Sequence, residues 1–183
     1  MHKISSIDEV FALLETGGGA AYFGEPVTVL EHSLQAAWFV QRKGAENSLI
    51  AAALLHDLGH LMHNQGEDAA QRGLDTQHED LAAATLAEHL PASVLDPIRL
   101  HVAAKRYLCF AEPLYLAALS PASQESLALQ GGPMTSAQAA AFLALPHAQA
   151  ALALRRADDA AKVPELSVPH LNSYRAVVEL LWR

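Results

Sequence analysis

The sequence predicts an all-α protein, and two features of its composition support that prediction. Ala and Leu supply 65 of the 183 residues, whereas Val and Ile supply only 14. Ala and Leu are good helix formers, while β-branched residues favour strands. In addition, apolar residues recur at helical spacing between segments marked by Gly and Pro. The length suits one domain with a core and is short for two, so we expect a single helical bundle over 1–183.

Gly and Pro set the ends of the predicted helices in the first part of the chain. The first helix places apolar residues on one face, and the glycines at 17–19 end it. No Gly-Lys-Ser/Thr follows those glycines, so we interpret them as a turn rather than a phosphate loop. Pro26 suits the first turn of the second helix, and Gly44 ends it. The predicted helices in this part cover 6–14, 26–43, 46–62, 77–90 and 92–108.

Gly, Pro and polar segments also separate the predicted helices in the rest of the chain. The polar segment 63–76 is typical of a surface loop, and Gln-Gly-Gly-Pro at 130–133 predicts a turn. Neither an internal repeat nor a boundary between domains is visible. The remaining predicted helices cover 113–119, 121–129, 135–143, 146–162 and 169–182.

The overall charge argues against nucleic acid as the main partner, because the net charge is −8 and counterion release requires clustered Lys and Arg. The uncharged stretch at 47–56 ends at Asp57, far short of the roughly 20 residues of a spanning helix, so no membrane partner is expected. No secretory signal is visible, and the single Cys109 cannot form an internal disulfide. We therefore expect a cytoplasmic location, and the oligomeric state stays open.

The first indication of chemistry is the pair His56-Asp57, which interrupts a nearly continuous run of Ala and Leu. Burying an unpaired carboxylate is costly, so this pair needs either an ion pair or a metal. The predicted helix over 46–62 contains no Lys or Arg that could neutralise Asp57. His56 and His60 are four residues apart and would share one face of that helix.

Other imidazole and carboxyl groups lie on the neighbouring predicted helices, at His32, His78, His101 and Asp158. Helical bundles build metal sites from inward side chains on facing helices. Together with His56 and Asp57 they make six ligands, which is too many for one structural zinc but suits two metals that share a bridging carboxylate. Mixed nitrogen and oxygen ligands suit iron or manganese, and the lack of thiolates argues against an iron–sulfur site.

These residues resemble a known family. His32, His56-Asp57 and the distant Asp158 match the H…HD…D signature of the HD-domain metalloproteins, and the added His78 and His101 resemble its two-iron variant. The chain is similar, over roughly 22–162, to the phosphonate-cleaving HD-domain oxygenases, and this region is the expected metal-site core. The matching segments are YFGE at 22–25, LEHSLQ at 30–35, ALLHDLGH at 53–60, HVAAKRYL at 101–108 and QGGPM at 130–134.

The resemblance implies a role for Tyr22 and for each predicted ligand. Tyr22 would occupy or guard an open position of the second iron before substrate arrives. Asp158 is favoured over Asp159 because the family pattern Asp-x-x-x-Lys is matched by Asp158 and Lys162, so Asp159 is interpreted as a solvated neighbour. One iron would be held by His32, His56 and Asp158 and the other by His78 and His101, with Asp57 as the bridge.

The resemblance also implies a phosphonate site beside the second iron. Lys105 would lie one helical turn beyond His101 and face the same cavity, where a phosphonate requires a cation. Glu25 would meet a substrate ammonium. The implied catalytic residues are Tyr22, Glu25, His60 and Lys105, and the further candidate phosphonate contacts are His60, Ser123, Ser126, Gln130 and Arg155.

The reaction implied by the resemblance uses one Fe2+ and one Fe3+ as cofactors and O2 as co-substrate. It would cleave the C–P bond of a 1-hydroxy-2-(trimethyl)aminoethylphosphonate oxidatively and release phosphate plus glycine or glycine betaine. Whether the amine is free or trimethylated stays open. The alternatives are an HD-domain metal-dependent phosphohydrolase, a polyol oxygenase resembling myo-inositol oxygenase, and a ligand-sensing HD module without catalysis. The hydrolase interpretation leaves His78, Tyr22 and the segment around Lys105 unexplained.

Overall fold

The all-α class is confirmed by the computed structural model, which describes residues 4–22, 24–62, 69 and 72–183. Phe23 and positions 63–68, 70 and 71 of the predicted loop lie outside the described residues. The helices are α1 (Ile7–Gly17), α2 (Val29–Arg42), α3 (Asn47–Leu55), α4 (His78–Leu86), α5 (Ala92–Ala111), α6 (Tyr115–Ala118), α7 (Pro121–Leu129), α8 (Ser136–Leu143), α9 (Ala148–Ala160) and α10 (Arg175–Leu181). Short 3-10 turns cover Leu58–Leu61 and Leu171–Tyr174.

The core is organised around α3, which is apolar on every side. Its residues from Ile50 to Leu55 are all buried. A helix of this kind must be enclosed by others, and α3 packs against α2, α5, α9 and α10. The long helix α5 in turn packs against α9 and α4. Because α2, α4, α5 and α9 carry the other predicted ligands, this packing brings them around the end of α3.

The predicted continuous helix over 46–62 is wrong, because α3 ends at Leu55 and a 3-10 turn follows at Leu58–Leu61. Gly59 explains the tight geometry after the break. A Cβ atom at Gly59 would lie 2.0 Å from the backbone oxygen of His78. The 3-10 turn therefore touches the first residue of α4, which only a glycine permits. As a consequence, His56 and His60 do not share one helical face.

The start of α2 also differs from its prediction at Pro26. Thr28 caps the helix: its hydroxyl accepts a hydrogen bond from the Glu31 amide (3.2 Å), and the Glu31 carboxylate accepts one from the Thr28 amide (2.7 Å). Ahead of the cap, Ala21 and Thr28 form an isolated antiparallel bridge. We call residues 21–28 the 21–28 turn. It brings Tyr22 back over α2.

The other predicted helices occur with shifted ends. α4 ends at Leu86 instead of near Pro91, and α9 begins at Ala148 instead of Pro146. Gly18 follows α1 as its cap, in agreement with the predicted turn. Within the described residues no single helix is long and apolar enough to cross a membrane, and only α8 and α9 together, bent by 108°, reach the length and composition of a span.

Candidate metal centre and anion cavity

Two groups of buried ligand atoms lie side by side and share Asp57. One group is His32, His56 and Asp57, and the other is Asp57, His78 and His101. Within each group the ligand atoms lie within 4.8 Å of one another. The Nε2 atoms of His32 and His56 are 3.2 Å apart, and those of His78 and His101 are 3.1 Å apart. The structure thus brings five of the six predicted ligands together from α2, α4, α5 and the residues after α3.

Backbone carbonyl groups fix the orientation of three of these rings. A carbonyl oxygen only accepts, so each Nδ1 that faces one carries its proton, and the Nε2 of a neutral ring is bare. Two bare nitrogens about 3 Å apart repel each other unless a cation lies between them. In this centre the Nδ1 atoms of His32, His56 and His101 lie 2.8, 2.9 and 2.7 Å from the carbonyl oxygens of Ala161, Ala53 and Ile98. The Nε2 atoms of these three rings are therefore the bare nitrogens that face the centre.

The spacing of the paired nitrogens fits a metal ion. Two nitrogens at a typical distance of about 2.1 Å from one ion, and about 3.1 Å apart, subtend roughly 95°, close to adjacent positions of an octahedron. Burial, together with neighbouring imidazoles, lowers the pKa of His56 and of His101 despite the opposing effect of nearby carboxylates. Both rings are therefore neutral near pH 7, which is the form that binds metals.

Asp57 lies between the two histidine pairs. Its Oδ2 atom is 3.5 Å from the Nε2 atoms of both His32 and His56. Its Oδ1 atom is 3.3 Å from Nε2 of His78 and 3.9 Å from Nε2 of His101. Burial opposes ionisation, but His56 and His78 outweigh it and hold the pKa of Asp57 well below its usual range. One anionic oxygen therefore faces each pair, as a bridging carboxylate requires.

The sixth predicted ligand, Asp158, reaches the centre from α9. Its Oδ1 atom lies 3.3 Å from Nε2 of His32, and its Oδ2 atom forms an ion pair with Nη1 of Arg155 at 2.7 Å. The interpretation of Asp159 as a solvated neighbour is wrong, because its carboxylate binds both Arg155 and Tyr115. Adjacent residues on one helix point in different directions, which explains why only Asp158 faces the histidines.

A cavity of about 100 Å³ opens beside this centre. Part of its wall consists of the predicted ligands, and the rest carries three basic side chains. Besides Asp57 and Asp158, the carboxylates of Glu25, Asp75 and Glu125 also line it, so basic and acidic groups face the same cavity. The wall includes Asp57, His78, His101 and Asp158 on one side and Lys105, Arg155 and Lys162 among the others.

Lys105 is a buried cation in this cavity and lies one turn beyond His101 on α5. Only 3% of the residue is exposed. Its ammonium donates a hydrogen bond to the Ser126 hydroxyl at 2.8 Å. Burial and the positive charge of Arg155 lower the pKa of Lys105 to about 7. An incoming anion would restore part of the solvation that this ammonium has lost.

The 21–28 turn closes one side of the cavity. The Tyr22 hydroxyl donates to Oδ2 of Asp57 at 2.7 Å, and its ring stacks on His32 at 3.9 Å. Burial, and then the nearby Asp57, raise the pKa of Tyr22, so the phenol stays protonated. Glu25, which was expected to meet a substrate ammonium, instead accepts a hydrogen bond from Lys162 at 2.9 Å. The turn is thus attached at two points.

The other predicted contacts also lie on the cavity wall. The break after α3 places His60 against His78, with the two rings stacked at 3.9 Å. Ser123 accepts a hydrogen bond from Lys162 at 3.1 Å. Gln130 presents a buried Oε1 atom that has no hydrogen-bond partner within the described part of the chain. All of these residues line the same cavity, together with Ser126 and Arg155.

Two residues that the sequence interpretation did not assign a role belong to the surroundings of this site. Tyr115, on the four-residue helix α6, accepts a hydrogen bond from Arg155 at 3.2 Å. Glu79 follows a predicted ligand and places its Oε2 atom 3.4 Å from Nδ1 of His78. A carboxylate next to a ligand histidine in sequence is a signal that could have identified Glu79, whereas α6 is too short to show periodicity.

An all-α bundle that buries a His-Asp pair among further histidines defines a protein with an HD-type metal centre. Comparison with known proteins agrees: the family model "HD domain" matches residues 29–130. Hydroxymethylphosphonate dioxygenase of Gimesia maris is 45% identical over 94% of this chain and 86% of that protein. The [1-hydroxy-2-(trimethylamino)ethyl]phosphonate dioxygenase (glycine-betaine-forming) of Leisingera caerulea is 36% identical over 98% of this chain and 91% of that protein.

A third relative, an uncharacterised protein of Acanthamoeba polyphaga mimivirus, is 33% identical over 94% of this chain and 80% of its own length. The chain belongs to the HD-domain family and, within it, to the branch of the phosphonate-cleaving oxygenases. The resemblance seen in the sequence is therefore confirmed.

Proposed function

We propose that this protein is an iron-dependent oxygenase that cleaves the C–P bond of a 1-hydroxyphosphonate, consuming O2 and releasing phosphate and a carboxylic acid. The observation that supports it most directly is the position of Asp57 between two histidine pairs, next to a cavity whose wall includes the basic side chains of Lys105 and Arg155. The centre suits two metals and the cavity suits a small anion. The relatives named above, two of them phosphonate dioxygenases, support the same reaction class.

The metals in this proposal are one Fe2+ and one Fe3+. The donor set of imidazoles and carboxylates without thiolates suits iron. When bound, the iron pair would mediate electron transfer from the substrate to O2 and offer the open coordination positions that this chemistry requires. One ion would be held by His32, His56 and Asp158 and the other by His78 and His101, with Asp57 between them.

The protein's own side chains would bind the phosphonate. Its charge of up to −2 would be met by the Lys105 ammonium and the Arg155 guanidinium, with Lys105 held in place by the hydrogen bond that it donates to the Ser126 hydroxyl. The hydroxyl and amide groups of Ser123 and Gln130 lie on the same wall. Such contacts hold the carbon that bears the hydroxyl group next to the metal centre and exclude bulk water. The remaining candidate phosphonate contact is His60, whose ring is stacked on that of His78.

Tyr22 has a separate role in the proposal. Its protonated hydroxyl holds Oδ2 of Asp57, and its ring covers His32. In this position the side chain protects the centre until a substrate displaces it. The ion pair between Glu25 and Lys162 keeps the 21–28 turn in place meanwhile.

The substituent on the substrate carbon is the finer part of the proposal. The expected 1-hydroxy-2-(trimethyl)aminoethylphosphonate, free or methylated, would place its ammonium at Glu25 and yield glycine or glycine betaine. That contact requires Glu25 to leave Lys162. Hydroxymethylphosphonate, the substrate in the name of one relative, has no ammonium and makes no such demand. For either substrate one O2 balances the oxidation of the carbon to a carboxyl group and the release of phosphate, so no other reductant is consumed.

An oxygen-uptake assay tests the proposal. Iron-loaded, partly reduced enzyme is mixed with air and with hydroxymethylphosphonate, the 2-amino and the 2-trimethylammonio compounds in turn. We expect equal amounts of O2 consumed and phosphate released with at least one of them. Phosphate release without O2 uptake would indicate a phosphohydrolase instead. O2 uptake with inositol alone would indicate a polyol oxygenase, and binding without turnover a sensing module.

A further inference from the structure

Arg155 is the centre of a buried hydrogen-bond network at the wall of the cavity. Its side chain is 5% exposed, and a guanidinium has five N–H donors. Nη1 forms an ion pair with Oδ2 of Asp158 at 2.7 Å, Nε donates to the Tyr115 hydroxyl at 3.2 Å, and Nη2 donates to Oδ1 of Asp159. The Tyr115 hydroxyl in turn donates to Oδ2 of Asp159. Arg155, Tyr115 and Asp159 thus form a closed ring.

This ring holds the guanidinium from the side opposite the cavity. Arg155 lines the cavity, whereas Tyr115 and Asp159 do not. Asp158 alone would draw the guanidinium toward the histidines, because the two side chains are three residues apart on the same helix. Asp159 supplies a second negative charge from the outer side, and Tyr115 fixes the remaining edge. A long side chain that would otherwise sample many rotamers is therefore held in one position.

We infer that Tyr115 and Asp159 are positioning residues for anion binding, because they lock Arg155 at the cavity wall where it meets the phosphonate group. The inference deepens the proposed function and rests on it for the identity of the anion. A cation that is already in place costs no ordering when the anion binds. Loss of either residue should therefore weaken ground-state binding of the anion more than it slows turnover.

The test uses iron-loaded enzyme and two measurements, the affinity for inorganic phosphate by calorimetry and the KM and kcat for the best hydroxyphosphonate. The variants are Tyr115→Phe and Asp159→Asn. We expect each to weaken phosphate binding and to raise KM by about fivefold to tenfold, the size of the net contribution of one typical hydrogen bond. The kcat should change by less than about twofold.

The control is Glu112→Gln. Glu112 forms an exposed ion pair with Arg156 on the same helix as Arg155. This variant removes an ion pair of the neighbouring arginine on α9, outside the cavity, so phosphate affinity and KM should stay at the wild-type values. The unfolding midpoint of each variant is measured alongside, so that loss of fold is recognised.

A double-mutant cycle separates positioning from a merely structural role. Lys in place of Arg155 cannot make the closed ring, so Tyr115→Phe should have no further effect on KM in an Arg155→Lys background. Additive effects, or unchanged phosphate affinity and KM in both Tyr115→Phe and Asp159→Asn, would overturn the inference, as would a wild-type enzyme that binds no phosphate. If wild type binds phosphate but oxidises no hydroxyphosphonate, the proposed function fails, and the phosphate affinities of the variants still decide the inference.

Discussion

At the scale of single residues, Lys105 shows how the cavity controls a charge. Its ammonium is buried beside Arg155, and these two effects lower the pKa of Lys105 to about 7. Asp158, Asp159 and Glu79 act in the opposite direction and are outweighed. A lysine with a lowered pKa is charged below that value and neutral above it. The cation available to a phosphonate therefore decreases as the pH rises through 7.

This titration leads to a pH prediction. Because kcat/KM reports the ionisation of the free enzyme, it should fall by about tenfold for each pH unit above the pKa of Lys105. The Lys105→Arg variant stays charged over the whole range, so its kcat/KM should remain flat between pH 7 and pH 9 apart from a constant loss. Steady-state rates at five or six pH values measure both profiles. Parallel profiles for the two enzymes would contradict the role of Lys105.

The sequence identified some residues of the candidate site and missed others. His56 and Asp57 lie in a run of Ala and Leu, and a polar group that is buried in such surroundings needs a compensating partner. Tyr115 lies among exposed neighbours, and Asp159 directly follows another aspartate in an Ala-rich helix, so nothing in the local pattern distinguished either of them from a solvated side chain. Their contacts with Arg155 depend on how α6 meets α9, which is a tertiary property.

At the scale of elements, the break between α3 and the following 3-10 turn shapes the metal centre. The helix ends at Leu55, so the side chains of His56 and Asp57 lie at its end, where α4 and α5 can approach. Gly59 then allows the turn to touch the His78 backbone. The period of apolar residues predicted a helix across the whole of 46–62, because a pattern of side chains does not reveal a close approach of two backbones.

Gly59→Ala tests the importance of that approach. The added Cβ would lie 2.0 Å from the His78 oxygen, a backbone atom that cannot move alone. We expect the start of α4 to shift, with a loss of about 1–3 kcal/mol in the free energy of unfolding and weaker binding of the second metal ion. Urea unfolding and metal analysis measure the two effects. Gly19→Ala is the matched control, because a Cβ at Gly19 would meet no atom of the described residues within 4 Å; equal losses in both variants would contradict the explanation.

At the scale of the whole molecule, the six predicted ligands come from segments 126 positions apart in sequence, from His32 to Asp158. The fold class followed from composition, and the ligand types followed from their apolar surroundings. The order in which the helices surround α3 did not follow from either, since it depends on packing between α2, α5 and α9. A metal centre at this position would link all of these helices.

Removal of the metals should therefore weaken the entire fold. Ligands that bind only the folded state stabilise it by about 2.7 kcal/mol at a hundredfold excess over Kd, so chelation should lower the unfolding midpoint by roughly 5–10 °C for a chain of this size. Without a cation, the paired nitrogens of His32 and His56 and of His78 and His101 also face each other directly. Scanning calorimetry before and after dialysis against a chelator measures the change. His78→Ala retains the first group of ligands, so it should bind about one ion fewer and show a smaller decrease in the unfolding midpoint on chelation. The control is His170→Ala at an exposed position, which should behave like wild type. An unfolding midpoint that does not respond to chelation in the wild-type protein would show that no metal contributes to the stability of the bundle.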